Sequence, residues 1–218
     1  MAWVVFLLIA SPFVGSFLGL LAVRLPIGES VLLGRSRCRA CGHVLSWQEL
    51  IPILSWLWQR GTCRKCGKVL SVFYPLMELA SLCVALVTVV ILPLDVVPWG
   101  VLFGWTLLLL AVIDYRTKLL PDVLTLPLIL AGLLFAYYFR PDAFADHLWG
   151  AVLGFLVLAG VAHLYRVVRK AEGLGLGDAK LFAAAGAWLS WAALPSVLLL
   201  AAGSGLLCII GLRTFGAK

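Results

Sequence analysis

The sequence predicts an all-α protein: a polytopic bundle of about seven transmembrane helices, with a polar four-cysteine loop after the first. Three observations carry this expectation. Of the 218 residues, 63% are apolar and only 12% charged, with mean hydropathy +1.09; soluble domains sit near about half and a quarter. The apolar residues gather into seven runs, most of them close to the roughly 20 residues that one membrane helix needs. Alternation of apolar and polar residues is nowhere sustained, which disfavours a β-barrel.

The first run covers Ala2–Val23. No Lys or Arg precedes it and Arg24 follows it, the reverse of a secretory signal, so it reads as a helix with its N-terminus outside. Residues 24–71 form a basic loop carrying Arg24, Arg35, Arg37, Arg39, Arg60, Arg64, Lys65 and Lys68. Further apolar runs cover residues 72–92, 97–113, 123–139, 147–165, 179–191 and 194–212, the sixth of the seven being short, with Trp188 and Trp191 as its interfacial belt. Residues 93–98 and 140–146 carry the acids Asp95, Asp142 and Asp146 and read as external turns. Arg116, Lys118, Arg166, Arg169, Lys170, Lys180, Arg213 and Lys218 mark the intervening segments and the C-terminus as internal.

On this scheme sixteen of the seventeen basic residues are internal, Arg140 being the exception. The net charge of +7 therefore reflects positive-inside topology rather than nucleic-acid binding. The chain divides into a first transmembrane helix (1–23), a cytoplasmic loop (24–71) and a transmembrane core (72–218), and it reads without internal repeats or low-complexity tracts.

Two CxxC pairs, Cys38/Cys41 and Cys63/Cys66, lie in the loop. Each pair can wrap two thiolates around one ion, and two pairs complete a tetrahedral zinc site with no position left for water, hence a structural metal. Disulfides or free thiols are the alternatives, and a reducing cytoplasmic loop disfavours the former. Gly42 and Gly67 follow each pair, where a knuckle turn needs positive φ. His43 reads as a solvated neighbour, and Cys83 and Cys208 as core residues.

Among the ten acids, Glu78, Asp114, Asp122 and Asp178 lie in or beside helices on the internal side. Ionisable groups at membrane depth are costly and point to function. Asp122 after Pro121 suits a helix start. Asp114 ends an apolar helix, where a negative charge opposes the dipole, so capping does not account for it. Asp178 follows Gly175-Leu176-Gly177, more glycine than a cap requires. Two neighbouring carboxylates can share one proton and act as base and acid on water and carbonyl, the chemistry of aspartic peptidases. Nothing in the sequence alone brings residues 114 and 178 together. A proton relay through them in a proton-coupled transporter is the alternative function, and a scaffold that recruits a partner through the loop is another.

These residues resemble the type IV prepilin leader peptidases, membrane aspartic proteases of the GxGD class. Gly175–Asp178 matches GxGD, followed by Ala179-Lys180; Ile113-Asp114 with Leu119–Pro127 (LLPDVLTLP) matches the segment of the first catalytic aspartate. Gly15–Leu18 with Arg24-Leu25-Pro26, the four cysteines, IPILSW (51–56) and YPLMELAS (74–81) complete the pattern in the same order. The resemblance implies removal of the leader from type IV prepilins or type II secretion pseudopilins at the cytoplasmic face of the bacterial inner membrane. It also implies N-methylation of the new N-terminus with S-adenosylmethionine. Asp114 and Asp178 would be the catalytic pair, Cys38, Cys41, Cys63 and Cys66 the zinc ligands, and Gly175, Gly177 and Glu78 substrate-facing; no residue is assigned to S-adenosylmethionine. Two departures stand out. Gly19 replaces the family's Asn, which bears on the methyltransferase, and the chain ends at RTFGAK where members continue with a further helix, as a short or truncated member would.

Overall fold

Lipid offers backbone N–H and C=O groups no hydrogen-bond partners, so an apolar chain of this kind satisfies them within helices. The computed structural model describes residues 2–31, 36–38, 40–170 and 175–214. Its elements are α1 (Ala2–Arg24), α2 (Leu54–Trp58), α3 (Phe73–Ile91), α4 (Val97–Thr117), α5 (Asp122–Phe139), α6 (Phe144–Arg169), α7 (Leu176–Leu189) and α8 (Leu194–Thr214). Short 3-10 turns occur at Leu25–Ile27, Trp47–Leu50, Pro141–Ala143 and Trp191–Ala193. Among the described residues α1, α3, α4, α5, α6 and α8 are each long and apolar enough to cross a membrane. Arg35, Arg39 and Lys218, read above as parts of internal segments, lie outside the described residues.

Two compact units divide the chain, residues 1–119 and 120–218. In the first, α1, α3 and α4 pack together around Ala85, Val97 and Val101, with Leu7, Leu8 and Trp105 against them. Polar groups tie the three helices. The fully buried Ser81 hydroxyl on α3 donates to the Ser11 carbonyl on α1 at 2.7 Å, and the Trp105 indole on α4 donates to the Ser81 carbonyl at 3.0 Å. Such bonds contribute about 0.6 kcal/mol each inside a membrane bundle.

In the second unit α7 is held between α5 and α6. Its buried residues are mostly alanine and glycine, so the backbones come close. A Cβ on Gly150 of α6 would meet the Gly186 carbonyl at 2.5 Å, and one on Gly186 would collide with the Gly150 carbonyl. Nδ1 of the buried His147 lies 2.9 Å from the Ala187 carbonyl, which can only accept, so this nitrogen donates. The Trp188 indole donates to the Leu128 carbonyl at 2.9 Å, and its ring stacks on Phe135.

Several expectations change. Each of the seven expected runs forms a helix, but the one at 179–191 is a 14-residue helix of about 21 Å, shorter than a bilayer core, so among the described residues six are span-length. Trp188 is a core residue, not an interfacial one, because its N–H has a partner inside the unit; Trp191 is half exposed and donates to Asp146 at 3.1 Å. Cys83 and Cys208 are exposed on helix faces rather than buried, since in a membrane bundle the outer surface is apolar as well. Asp114 does not end its helix: α4 runs on to Thr117 and closes at Lys118 in the left-handed region (φ 56°).

The close approach of α6 and α7 makes Gly186→Val destabilising by about 1–3 kcal/mol through overpacking. Gly160→Ala, at a helix position with nothing within 4 Å, leaves the melting temperature unchanged or higher. Thermal unfolding in detergent measures both, and equal melting of the two variants would contradict the packing described.

Candidate functional site

The four cysteines form two knuckles of one design. In the first, the Cys38 N–H donates to the His43 carbonyl (2.8 Å), Gly42 N–H to Cys38 O (2.9 Å) and Leu45 N–H to Ser36 O (2.9 Å). In the second, Cys63 donates to Lys68 O (2.9 Å), Gly67 to Cys63 O (2.9 Å) and Leu70 to Gly61 O (2.7 Å). Gly42 and Gly67 take φ 69° and 67°, the positive values the turn requires. The underlying sequence repeats as well: CRACGHVLS (38–46) and CRKCGKVLS (63–71) differ at two positions, Ala40/Lys65 and His43/Lys68. The expectation of no internal repeat is therefore corrected; the unit is too short to show as a fold-level period.

All four Sγ atoms lie within 4.8 Å of one another, with Cys38–Cys66 at 3.9 Å and Cys41–Cys63 at 4.0 Å. Zn–S bonds of 2.3 Å in a tetrahedron place sulfurs about 3.8 Å apart, so the donor set fits a metal ion of that kind. Electrostatics point the same way. Backbone N–H groups of Cys41 and Ala40 draw the Cys38 thiol down to about 6. For Cys41 the His43 N–H acts in the same direction, but burial and the neighbouring thiols outweigh it and push the thiol up to about 11. Four thiolates in one cage need a cation before all of them ionise.

Between the knuckles, Ser46 and Glu49 form a capping box on the 3-10 turn: Glu49 Oε2 accepts from both the backbone N–H and the hydroxyl of Ser46, each at 2.9 Å. The Ser46 N–H holds the Glu49 carboxyl below its usual range. Ser46-x-x-Glu49 is a capping signal that the sequence analysis did not use.

Glu78, buried on α3, accepts from the Ile53 backbone N–H at 2.7 Å, with the Ser16 hydroxyl of α1 beside it. Ile53 stands at φ 61°, ψ −55°, and the Leu54 N–H reaches back to the Pro52 carbonyl at 2.5 Å, a γ-turn that opens α2. Asp114 is half-buried in the last turn of α4, and its carbonyl accepts the Lys118 N–H at 2.8 Å. Arg116, in the same turn, stacks its guanidinium 4.2 Å from the Phe73 ring centre. An apolar cavity of about 480 Å³ between α3 and α4 is lined by residues that bracket Asp114, including Met77, Leu108, Val112 and Tyr115.

Asp178 belongs to the second unit, exposed at the third residue of α7. Gly175 is the N-cap, and its carbonyl accepts the Asp178 N–H at 3.2 Å. A Cβ on Gly177 would stand 2.9 Å from the Leu120 Cβ, so glycine here lets the chain entering α5 lie against the start of α7. At Gly175 the nearest atom to such a Cβ is its own neighbour Asp178 Oδ2 at 3.5 Å. Lys180, read above as a membrane anchor, donates to Asp122 Oδ1 at 2.6 Å and joins the first turns of α7 and α5. The structure thus gathers the four cysteines into one cage and joins the LPD and GDAK segments, while Asp114 and Asp178 fall in separate units.

Residues 9–92 match the bacterial peptidase A24 N-terminal domain, and residues 101–210 the type IV leader peptidase family. The chain is 41% identical over 187 residues to a prepilin leader peptidase/N-methyltransferase of Aeromonas salmonicida, covering 84% of this chain and 63% of the relative. A Myxococcus xanthus protein of the same name is 42% identical over 203 residues, covering 92% of this chain and 60% of that one. One from Klebsiella pneumoniae is 40% identical over 206 residues, covering 91% and 90%. The chain therefore spans about three fifths of the Aeromonas and Myxococcus relatives and nine tenths of the Klebsiella one. No solved structure matches it. With six span-length helices, a four-cysteine cage, and both aspartates and the GxGD glycines inside the matched stretches, the chain is a multi-pass membrane protein that belongs to the type IV leader peptidase family.

Proposed function

We propose that this chain removes the leader peptide from type IV prepilins or type II secretion pseudopilins at the cytoplasmic face of the bacterial inner membrane, and methylates the new N-terminus. The observation that carries this reading is the similarity along nearly its whole length to relatives named prepilin leader peptidase/N-methyltransferase. Asp114 and Asp178 act as a pair. One aspartate takes a proton from water as its oxygen attacks the scissile carbonyl carbon, and the other gives a proton to the carbonyl oxygen. Collapse of the tetrahedral species breaks the C–N bond, and a proton passes to the departing amine, so both carboxyls return to their starting states without a covalent intermediate. Gly175 leaves room for the extended leader beside Asp178. The apolar cavity beside Asp114 receives the hydrophobic residues that follow the cut. Glu78 stands on the substrate side of the first unit.

Zinc is the metal that fits the thiolate cage, closed and structural. S-adenosylmethionine, when bound, supplies a sulfonium methyl: the pilin amine nitrogen forms the new N–C bond, the S–C pair stays on sulfur, and the amine proton leaves to water.

Asp114→Asn or Asp178→Asn lowers prepilin cleavage by about 10²–10⁴-fold, read as the leader-length shift on a gel with the full chain in detergent. Full cleavage by both variants would falsify the aspartyl mechanism. Purified protein carries roughly one zinc per chain, and Cys38→Ser or Cys63→Ser removes most of it and opens the loop to proteolysis. Elemental analysis with no bound zinc in the wild type would remove the metal assignment.

A further inference from the structure

Exposed apolar side chains on a spanning helix face lipid tails, but the loop of the first unit carries a set of them outside any span. Between the two knuckles, residues 44–59 (VLSWQELIPILSWLWQ) include one charged residue, Glu49, and that side chain is buried. Large apolar groups stand on the surface instead: Trp47 is 73% exposed and Trp58 83%, with Leu50, Leu54 and Leu57 exposed as well. On α2 the residues Leu54, Leu57 and Trp58 stand at i, i+3 and i+4, which is one face of the helix. The 3-10 turn that bears Trp47 and Leu50 lies against α2. Two indoles and three leucines left in water would make an apolar patch of a kind that soluble surfaces rarely carry.

The height of this segment along the membrane normal follows from Glu78. Its carboxylate accepts the N–H of Ile53, the residue before α2, at 2.7 Å. Glu78 is the sixth residue of α3, about 7.5 Å inside the Phe73 end of that helix. With 19 residues α3 is about 28 Å long, nearly the thickness of a bilayer core, so its ends mark the two boundaries. Helix α1 gives the same answer. A Cβ on Gly15 would stand 2.7 Å from the Glu78 Cα, and Gly15 lies about 13 Å inside the Arg24 end of α1. Even with a side chain that leans back toward its helix start, Ile53 meets α3 inside the ends of both spanning helices. α2 therefore begins at the level of the lipid headgroups rather than out in water.

We propose that α2 and the turn before it lie in the membrane interface, with Trp47, Leu50, Leu54, Leu57 and Trp58 set among headgroups and upper acyl chains. Tryptophan suits that zone, its ring apolar and its N–H able to reach water or phosphate. Arg60, Arg64 and Lys65, exposed just past α2, favour anionic phospholipid as the covering surface. Continuity argues for lipid over a protein partner, since Leu76 is exposed on the same turn of α3 that carries Glu78. The segment that joins the two knuckles is thus held to the bilayer, which fixes the height of the cysteine cage. The proposal needs α1 and α3 to span the membrane and is independent of the peptidase reading.

The test places the full chain in nanodiscs of phosphatidylcholine and phosphatidylglycerol and compares it with the double variant Trp47→Phe, Trp58→Phe. The difference in emission between the two reports these indoles alone. It is expected to be blue-shifted from water-exposed tryptophan, to be lost when the lipids are brominated near the top of the acyl chain, and to resist aqueous acrylamide. Difference emission that acrylamide quenches and brominated lipid leaves intact puts the face in water, and emission that neither quencher reaches puts it under protein. Either result overturns the proposal. Photolabelling of the wild type by a phospholipid with a carbene precursor on its acyl chain needs no variant. Label is expected within residues 47–58 as well as on the spanning helices, and label on the spanning helices alone overturns the proposal. Neither readout involves prepilin, so failure here leaves the peptidase reading standing, and a chain that cleaves nothing still tests this face.

Discussion

Helices in lipid gain nothing by hiding apolar surface from one another, because the lipid tails are as apolar as leucine. Association then depends on how closely two backbones can come. The contact of Gly150 with Gly186 meets this constraint at its limit, each carbonyl occupying the space where the other residue's side chain would stand. Around it the polar bonds of His147 and Trp188 lock α7 against α6 and α5, which between them bury most of its alanines. The position of Asp178 follows from this packing: the carboxylate rides on the first turn of a helix that has no freedom to slide. The Lys180–Asp122 pair adds a tether at the same end. That pair is partly exposed, so its worth is in direction more than in energy.

The loop of the first unit is organised by a different force. About fifty residues with few buried apolar side chains cannot fold on a hydrophobic core of their own. Two copies of one knuckle, each closed by three backbone hydrogen bonds, bring four thiols to within bonding distance of one ion. A cation held there would neutralise them and supply the stabilisation that a core does not.

Much of this was legible in the residues. Span-length helices follow from composition, the cage from CxxC spacing, the start of α5 from Pro121-Asp122, and the positive φ of Gly42 and Gly67 from knuckle chemistry. What escaped has physical reasons. Cys83 and Trp188 were misread because hydrophobicity does not say which side of a membrane helix faces protein and which faces lipid. The end of α4 was set too early because a charged residue reads as a boundary, whereas the helix stops where Lys118 takes a left-handed conformation.

Ile53 gives the turn before α2 an unusual mechanical character. A β-branched residue at φ 61° is held in a conformation that costs on the order of 1–3 kcal/mol, and its N–H is latched by the Glu78 carboxylate on α3. The latch sits at the entrance to the five-residue helix that carries Trp56. The γ-turn is thus a loaded spring between a membrane helix and the short helix that follows it.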